Sequence, residues 1–475
     1  MAEAREQAQY LRECVELSRR QQLRMVVRLS IPAILAQLST TVMQYIDAAM
    51  VGSLGAGASA SIGLVSSTIW LMNGLCIAAV MGFSVQVAQL SGAGDRRKGQ
   101  AVFCQSILMG AGLGLILALT GVGISSWLPR WLGGEPEILE DASRYLLIYA
   151  CAMPSLQFRQ LAGGMLQCSG DIKTPSILSI AMCALDVVFN SLLIFPARQV
   201  SAAAWTFTLP GAGLGVTGAA LGTALADVFV ACAMMWAACR RSDFLRLDRN
   251  CRWRFDPLCW RTALRISLPL ALERAILSSA QIASTRIVAP LGTVAIAANT
   301  LGVTAESLCY LPGNGIGTAA TTLVGQSLGA GRRDMARRFA RVSVGLGVAV
   351  MSTAGLLLFL LAPAIFTVLT PDPAVRQLGS QVLRIEAFAE PLFAAAIVTA
   401  GALRGAGDTE LPSMMNLISM WGVRIPAAAF LAPRLGLHGV WIAMCGELCV
   451  RGSLFLIRLF RERWLDHALM IEGRT

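Results

Sequence analysis

Twelve apolar runs, each about twenty residues long or longer, leave this chain few folds to adopt. A run of that length crosses about 30 Å of hydrocarbon as a helix. Inside hydrocarbon every backbone donor and acceptor must be satisfied by the chain itself, so only helices or a closed barrel can cross. The runs cover about 29–51, 60–88, 100–127, 143–166, 175–195, 214–238, 264–289, 297–325, 339–367, 380–403, 412–432 and 437–459. Leu, Ala, Gly and Met dominate them and strand-type alternation is absent, so they read as helices. Apolar residues make up 55% of the chain and charged residues 14%, against about 25% charged in a soluble domain. The expected fold is an all-α integral membrane protein; extensive disorder is excluded by the same hydrophobicity.

The formal net charge is +11, and 37 of the 39 basic residues are Arg. No basic run exceeds Arg96-Arg97-Lys98, and no soluble domain carries a basic face, so nucleic acid is excluded as a partner. The charge instead sorts by side of the membrane. With the N-terminus in the cytoplasm, the inside segments (1–28, 95–98, 168–174, 239–265, 331–341, 404 and 456–475) hold 28 Lys or Arg. The outside holds five: Arg130, Arg144, Arg198, Arg376 and Arg434. The positive-inside rule therefore predicts that both termini are cytoplasmic. Residues 1–28 have no short apolar core or A-x-A site, so no removed signal peptide is expected. Trp127, Trp131, Trp205, Trp260 and Trp464 fall near the predicted interfaces, where indoles commonly anchor. The 13 Cys form no CxxC pair and only 2 His occur, so neither a zinc site nor a disulfide framework is expected. Cys76, Cys151, Cys183, Cys232, Cys309 and Cys445 lie in apolar runs and read as small core residues.

The chain also repeats itself. Shifted by 237 residues, Pro32 falls on Pro269, Gln44 on Gln281, Gln89 on Gln326 and Gly92-Ala93-Gly94 on Gly329-Ala330-Gly331. Pro154 falls on Pro391, Gly170-Asp171 on Gly407-Asp408, and Pro175 on Pro412. Beyond that the offset falls to 221, because the outside loop 196–212 has about 16 extra residues. Six spans per copy make parallel repeats about an axis along the membrane normal. The expected organisation is a cytoplasmic segment 1–28, an N-lobe 29–238, a cytoplasmic linker 239–263, a C-lobe 264–459 and a cytoplasmic tail 460–475. Two such bundles favour alternating access, although a channel could also be built from repeats. The GAG segments read as helix stops at the cytoplasmic face. They are not phosphate cradles, because no Walker lysine–serine pair and no preceding strand accompany them.

An ionisable group inside a span costs at least ~2.5–3.5 kcal/mol, so each asks for a partner or a function. The first six spans carry Asp47, Asp186 and Asp227 against Arg159 alone. The last six carry Glu273, Glu306, Glu386, Glu390 and Glu447 against Arg274, Arg286, Arg384, Arg424 and Arg451, and can neutralise themselves. Excess negative charge in the first half marks it as the cation or proton site. Gln37, Thr41 and Gln44 share one face of the first helix, with Asp47 on its flank. In the seventh helix Arg274, Ser278, Gln281 and Ser284 take their places, so only the first copy ends in an acid. A bridge between helices near the outer face is the structural alternative for Asp47. Asp186 and Asn190 lie one turn apart in the fifth helix, a carboxylate beside an amide carbonyl that suits Na⁺ or a shared proton. Asp227 can pair with Arg159, and Glu273 adjoins Arg274. Neither a nucleophile–base pair nor a metal cluster is visible, so the chain is not expected to be an enzyme. No cofactor is expected beyond a coupling ion, H⁺ or Na⁺.

At this point the chain resembles the multidrug and toxic compound extrusion family. The matching patterns are YIDAAMVGSLG (45–55), VQVAQLSGAGDRR (85–97), LQCSGDIKTP (166–175), LVGQSLGAGRRD (323–334), LRGAGDTELP (403–412) and WGVRIPAAAFLAPRLGLHGVWIAM (421–444). The resemblance covers about residues 25–460 and favours this family over the major facilitators. It implies twelve helices in two six-helix lobes that form a V-shaped cleft. It also implies export of organic cations, drugs or other amphipathic compounds from a bacterial inner membrane, driven by H⁺ or Na⁺. Asp47 matches the family's first-helix aspartate, implicated in cation coupling. DinF-like relatives show Asn then Asp in the fifth helix, the reverse of the order here. Glu273 resembles a seventh-helix glutamate, while NorM-like members place acids where this chain has Leu277 and Phe393. The chain thus looks closer to the DinF-like branch. If Na⁺ is used, Asp47, Asp186 and Asn190 are its first candidate ligands; Gln37, Thr41, Gln44, Asp227, Glu273 and Gln281 are further substrate or coupling candidates. The expected partners are small amphipathic or cationic molecules and membrane lipid, with the protein itself a monomer. The alternatives are a lipid-linked oligosaccharide flippase, which would want a basic cavity, and a passive channel.

Overall fold

The computed structural model describes residues 17–202, 205–247, 253 and 255–467. Residues 1–16 of the expected N-terminal segment, 248–252 and 254 of the linker, and 468–475 of the tail lie outside the described residues, as do the side chains of Arg198 and Trp205. The protein is all-α, with twelve helical spans in the expected order. The first three are Arg19–Gly52, Ala56–Ala93 and Arg96–Ile124. The fourth is made of Pro136–Cys151 and Met153–Cys168; the fifth and sixth are Lys173–Leu193 and Gly215–Trp236. The seventh to ninth are Pro257–Val288, Thr293–Gly329 and Arg333–Leu369. The tenth is made of Pro373–Ala387 and Glu390–Ala406, and the eleventh of Glu410–Ser419, a π-helical turn Met420–Arg424 and Ile425–Leu435. Leu437–Phe460 is the twelfth. Among the described residues nine helices are long and apolar enough to cross a membrane as single helices. The fourth and tenth spans are broken, and the seventh falls short in composition.

The breaks follow the repeat. Ala152 and Ala389 interrupt the fourth and tenth spans at equivalent positions, each two residues before a proline, Pro154 or Pro391. Proline lacks an N–H and is favoured in the first turn of a helix, so it ends one helix and starts the next. Positive φ also recurs: Gly55, Gly94 and Gly170 (117°, 77° and 101°) match Gly292, Gly331 and Gly407 (95°, 75° and 88°). Only glycine adopts these turns without strain. The extra outside residues form an antiparallel ribbon, β1 (Pro196–Ala202) paired with β2 (Trp205–Ala212), the one exception to the helical reading among the described residues.

The described residues group into two compact units. The first comprises Leu35–Ser84 and Arg96–Ala263. Its buried contacts include Met72, Cys76, Leu117 and Met153 in one cluster, and Val65, Ile69, Ala142 and Leu146 in another. The second unit comprises the described residues up to Ile34, Val85–Asp95 and the chain from Leu264 on. Its core gathers Phe366, Val382, Leu383 and Trp441. The Trp441 indole donates to Asn299 Oδ1 at 3.0 Å. Outward faces are apolar, as on the ninth span, where Leu356, Leu357, Leu360, Leu361 and Val368 (87%) are exposed. Such a surface suits lipid and not water.

Two expectations about side chains change. Cys76 and Cys309 are core residues, but Cys151 and Cys232 are exposed and Cys183 and Cys445 half-buried, because a span turns one face outward whatever its composition. Trp127 and Trp131 are exposed and meet edge to face, as interfacial anchors do. Trp464 is instead fully buried and donates to the Leu459 carbonyl at 3.0 Å, and Trp260 donates to Gln105 Oε1 at 2.9 Å. Both satisfy the indole N–H inside the protein rather than at a lipid interface.

The GAG segments do more than stop helices. Within the second unit, the ends of the second and eighth spans cross at Gly92 and Gly329. A Cβ on Gly92 would lie 1.9 Å from the Gln326 carbonyl oxygen, and one on Gly329 would lie 1.8 Å from that of Gln89. The contact is reciprocal between repeat-equivalent residues. Gly345, in the ninth span, has open space where a Cβ would go. Gly329→Ala should therefore destabilise the purified protein by about 1–3 kcal/mol through overpacking. Gly345→Ala should be neutral or stabilising by up to about 1 kcal/mol through helix propensity. Thermal unfolding in detergent checks the pair; equal melting temperatures for the two variants would contradict the crossing.

Candidate coupling site

The fifth span places Asp186 and Asn190 one helical turn apart, and both are fully buried. Asp47 reaches them from the first span. The Asn190 amide bridges the two acids: Nδ2 donates to Asp47 Oδ1 at 2.8 Å and to Asp186 Oδ2 at 3.0 Å. An amide nitrogen has two hydrogens, and both are used on carboxylates. This fixes the amide orientation and turns Oδ1 away from the acids. Among the described residues, Asn190 Oδ1 and Asp186 Oδ1 are buried without a hydrogen-bond partner. Three oxygen-bearing groups thus converge, with two acceptors unused.

The sixth span holds this arrangement by close approach. Gly218 and Gly222 share one face of it, a spacing that lets helices meet at backbone distance. A Cβ on Gly218 would lie 2.4 Å from the Leu193 carbonyl oxygen, and one on Gly222 would lie 2.1 Å from Asn190 Oδ1. Thr223, the next residue, lies beside Asp186. Tyr145, from the first segment of the fourth span, is close enough to feel the charges of both Asp47 and Asp186. Gly222, Thr223 and Tyr145 were not singled out from the sequence. The Gly-x-x-x-Gly spacing at 218–222 was the available signal for the first two; Tyr145 offered none.

The other first-half candidates fall elsewhere. Gln37 and Gln44 are exposed, and the Thr41 hydroxyl donates to its own helix at Gln37 O (3.1 Å). The row on the first helix therefore does not extend the acid cluster. Asp227 is buried and paired with the Arg159 guanidinium. That pair accounts for the half's one intramembrane base, so the uncompensated negative charge resides at Asp47 and Asp186.

In the second half Glu273 is buried and held on both oxygens. Ser413 Oγ donates to Oε2 at 2.6 Å, Asn416 Nδ2 donates to Oε1 at 2.7 Å, and Arg404 lies 3.8 Å away. Its neighbour Arg274 is exposed and is not its partner; adjacent residues on a helix point about 100° apart. Gln281 is exposed. Phe393 packs edge to face on Tyr310 with ring centroids 6.0 Å apart. Among the described residues no group of three or more His, Cys, Asp or Glu could hold a metal ion.

The MatE family pattern matches the chain twice, over residues 32–192 and 269–430. The two matches begin at Pro32 and Pro269, the repeat-equivalent prolines. A probable multidrug resistance protein NorM from Thermotoga maritima is 27% identical over 458 residues, covering 95% of each chain. Multidrug resistance protein MdtK from Edwardsiella ictaluri is 26% identical over 458 residues, covering 93% of this chain and 95% of that one. A MOP superfamily transporter from Pyrococcus furiosus, whose structure is described by a binding pocket of reverse polarity, shares the fold. Its TM-score is 0.87 at 20% identity, covering 97% of this chain and 98% of that one. The apolar twelve-span architecture, its internal repeat and the double match together place the chain in the MatE family of membrane transporters.

Proposed function

We propose that this transporter is an antiporter that exports organic cations, drugs or other amphipathic compounds across a bacterial inner membrane by alternating access. Inward H⁺ or Na⁺ drives it, and Asp47, Asp186 and Asn190 form the coupling site. The observation that carries this reading is the excess charge: Asp47 and Asp186 are the intramembrane acids of the first half that make no ion pair with a base among the described residues. Relatives named for multidrug resistance supply the substrate class. Leu277 and Phe393 at the NorM-like positions favour the DinF-like branch. The arginine asymmetry favours cytoplasmic termini, and the transported molecule and membrane lipid are the only partners invoked, with the protein a monomer.

The proposed cycle follows from charge. A proton from the outer side neutralises Asp47 and weakens its bond to the Asn190 amide, since hydrogen bonds to ionised acceptors are the stronger kind. The helices around it repack, and a bound organic cation loses its counter-charge and leaves outward. In the inward-facing state the proton departs and the negative charge recruits the next cation. With Na⁺ as the coupling ion, Asn190 Oδ1 and the two carboxylates are the oxygens that would hold it. An acidic first half speaks against a flippase for pyrophosphate lipids, which would want a basic cavity.

Proteoliposomes with an imposed ΔpH or ΔNa⁺ and a fluorescent organic cation test the scheme and identify the ion. Wild type should export the cation under one gradient. Asp47→Asn should lose gradient-driven efflux, and fully coupled transport by that variant contradicts the assignment; flux in wild type without any gradient coupling would mark a channel. Asp227→Asn should act differently. It strands the Arg159 guanidinium, so it should lower stability by about 3–5 kcal/mol, read as a fall in melting temperature that Asp47→Asn does not share. Gly222→Ala should disturb the site without touching an acid, because the new methyl displaces the Asn190 amide. Losing one charge-assisted bond of about 1.5–3 kcal/mol predicts a roughly ten- to hundredfold weaker apparent affinity for the coupling ion. Unchanged ion dependence in Gly222→Ala would show that the bridging amide has no part in coupling.

A further inference from the structure

The positive charge of the second unit gathers where the ninth span begins and the twelfth ends. Arg333, Arg337 and Arg341 stand at four-residue intervals on one face of the ninth span. The chain leaving the twelfth span lies along that row. Both oxygens of Glu462 are engaged: Oε1 lies 2.8 Å from Arg341 Nη2 and Oε2 lies 2.9 Å from Arg337 Nη2. Asp466, in the 3-10 turn Arg463–His467, lies 3.0 Å from Arg333 Nη1. Trp464, between the two acids, is fully buried and anchors the segment. Among the described residues Glu462 is the one non-glycine residue at positive φ, 57°. Such a conformation persists only where the surroundings hold it.

These two acids do not neutralise the ledge. Arg338, Arg461 and Arg463, next in the chain to the paired residues, are exposed and make no ion pair among the described residues. The other charges nearby are already paired: Arg332 with Asp334 at 3.6 Å, and Arg458, inside the protein, with Asp408 at 2.7 Å. Six arginines (333, 337, 338, 341, 461 and 463) thus stand against Glu462 and Asp466. They do so at the start of a helix, where the dipole already favours an anion. Orienting the chain in a membrane needs no such row. The third span, the repeat equivalent of the ninth, has Arg96, Gln100 and Cys104 at the same three positions and no charged residue beyond Lys98. Gln100 there donates instead to the Arg246 carbonyl.

Apolar surface reaches the same ledge. Phe460 is 61% exposed and Ile457 50% exposed, and the Arg341 guanidinium lies 5.8 Å from the Phe460 ring centroid. A ligand that fits this surface carries an anionic group with oxygens for the guanidinium forks, attached to hydrocarbon. A phospholipid supplies both, and arginine pairs with phosphate in bidentate geometry. Clusters of about four to eight basic residues beside a membrane span attract anionic lipid. We propose that the arginine row of the ninth span and residues 461–466 form a binding site for the headgroup of an anionic phospholipid. Arg338, Arg461 and Arg463 supply its free charge, and Glu462 competes with the lipid phosphate for Arg337 and Arg341. The site does not rest on the coupling role of Asp47 and Asp186.

Thermal unfolding of the purified full-length protein in neutral detergent, titrated with phosphatidylglycerol, reads binding as a rise in melting temperature. Wild type should be stabilised at concentrations where phosphatidylcholine of the same chains and inorganic phosphate have no effect. Arg338→Gln/Arg461→Gln/Arg463→Gln breaks no ion pair among the described residues and should weaken the apparent affinity by about fivefold per arginine. Glu462→Gln should lower the melting temperature without lipid yet strengthen binding, because Arg337 and Arg341 become free. Arg240→Gln/Arg241→Gln/Arg246→Gln removes the same charge from the first unit and should leave the affinity as in wild type. Wild-type affinity in the Arg338, Arg461 and Arg463 variant overturns the proposal, as does equal loss in the two triple variants or equal stabilisation by inorganic phosphate or phosphatidylcholine. Weaker binding by Glu462→Gln overturns it too, which keeps the test decisive if a triple variant does not fold.

Discussion

An ionisable side chain buried among apolar helices must be given a partner, a proton or a moving ion, and the rest of this structure depends on which it receives. Asp227 has Arg159, Glu447 has Arg451, and Asp408 accepts from Arg458 at 2.7 Å. Glu273 has a serine, an asparagine and a more distant arginine. Each of these groups has a charged or hydrogen-bonding partner on at least one oxygen, though among the described residues Asp227 Oδ2 and Glu447 Oε2 have none, and their removal would strand that partner. Among the described residues Asp47 and Asp186 have an amide between them and no ion pair with a base, and the carboxyl groups of Glu386 and Glu390 have no hydrogen-bond partner. The difference between these two kinds of burial separates structural charges from those available for transport.

The glycine and proline positions explain how a chain with so little polar surface holds such groups in register. Proline breaks the fourth and tenth spans at equivalent points, and in the tenth it sets two acids at the discontinuity. Glycine lets helix backbones touch where the geometry matters. Gly92 and Gly329 meet opposing carbonyls, and Gly222 yields the space that the Asn190 amide occupies. Without hydrophobic driving force between helices in lipid, close packing of this kind is a main source of association.

Much of this was legible in the sequence because the bilayer imposes a length and the repeat imposes a phase. All twelve spans and the proline equivalences follow from those two constraints, whereas Asp47, Asp186 and Asn190 were grouped only as candidate ligands beside the family resemblance. Pairing was legible only in part. The first half's three acids against one base gave the excess and offered Asp227 as the partner of Arg159, which the fold shows. In the second half equal numbers suggested neutrality, and helix rotation sends Arg274 and Arg286 to the surface and Arg384 to a carbonyl. Tyr145 and Thr223 join the site through tertiary approach, which no local pattern records. Trp260 and Trp464 look like interfacial anchors by position, yet their indoles are satisfied inside the protein. The segment 196–212, read as a loop, instead holds two strands that pair antiparallel.

The central claim is that the negative charge at Asp47 and Asp186 is shared between coupling ion and substrate in alternation. The direct measurement is the number of protons released, or Na⁺ displaced, when an organic cation binds to the purified protein, followed with a pH indicator or a sodium-sensitive probe. Wild type should release the ion on binding, and Asp186→Asn should bind the cation more weakly and release less. Equal release by wild type and Asp186→Asn, or binding with no release from wild type, would contradict it.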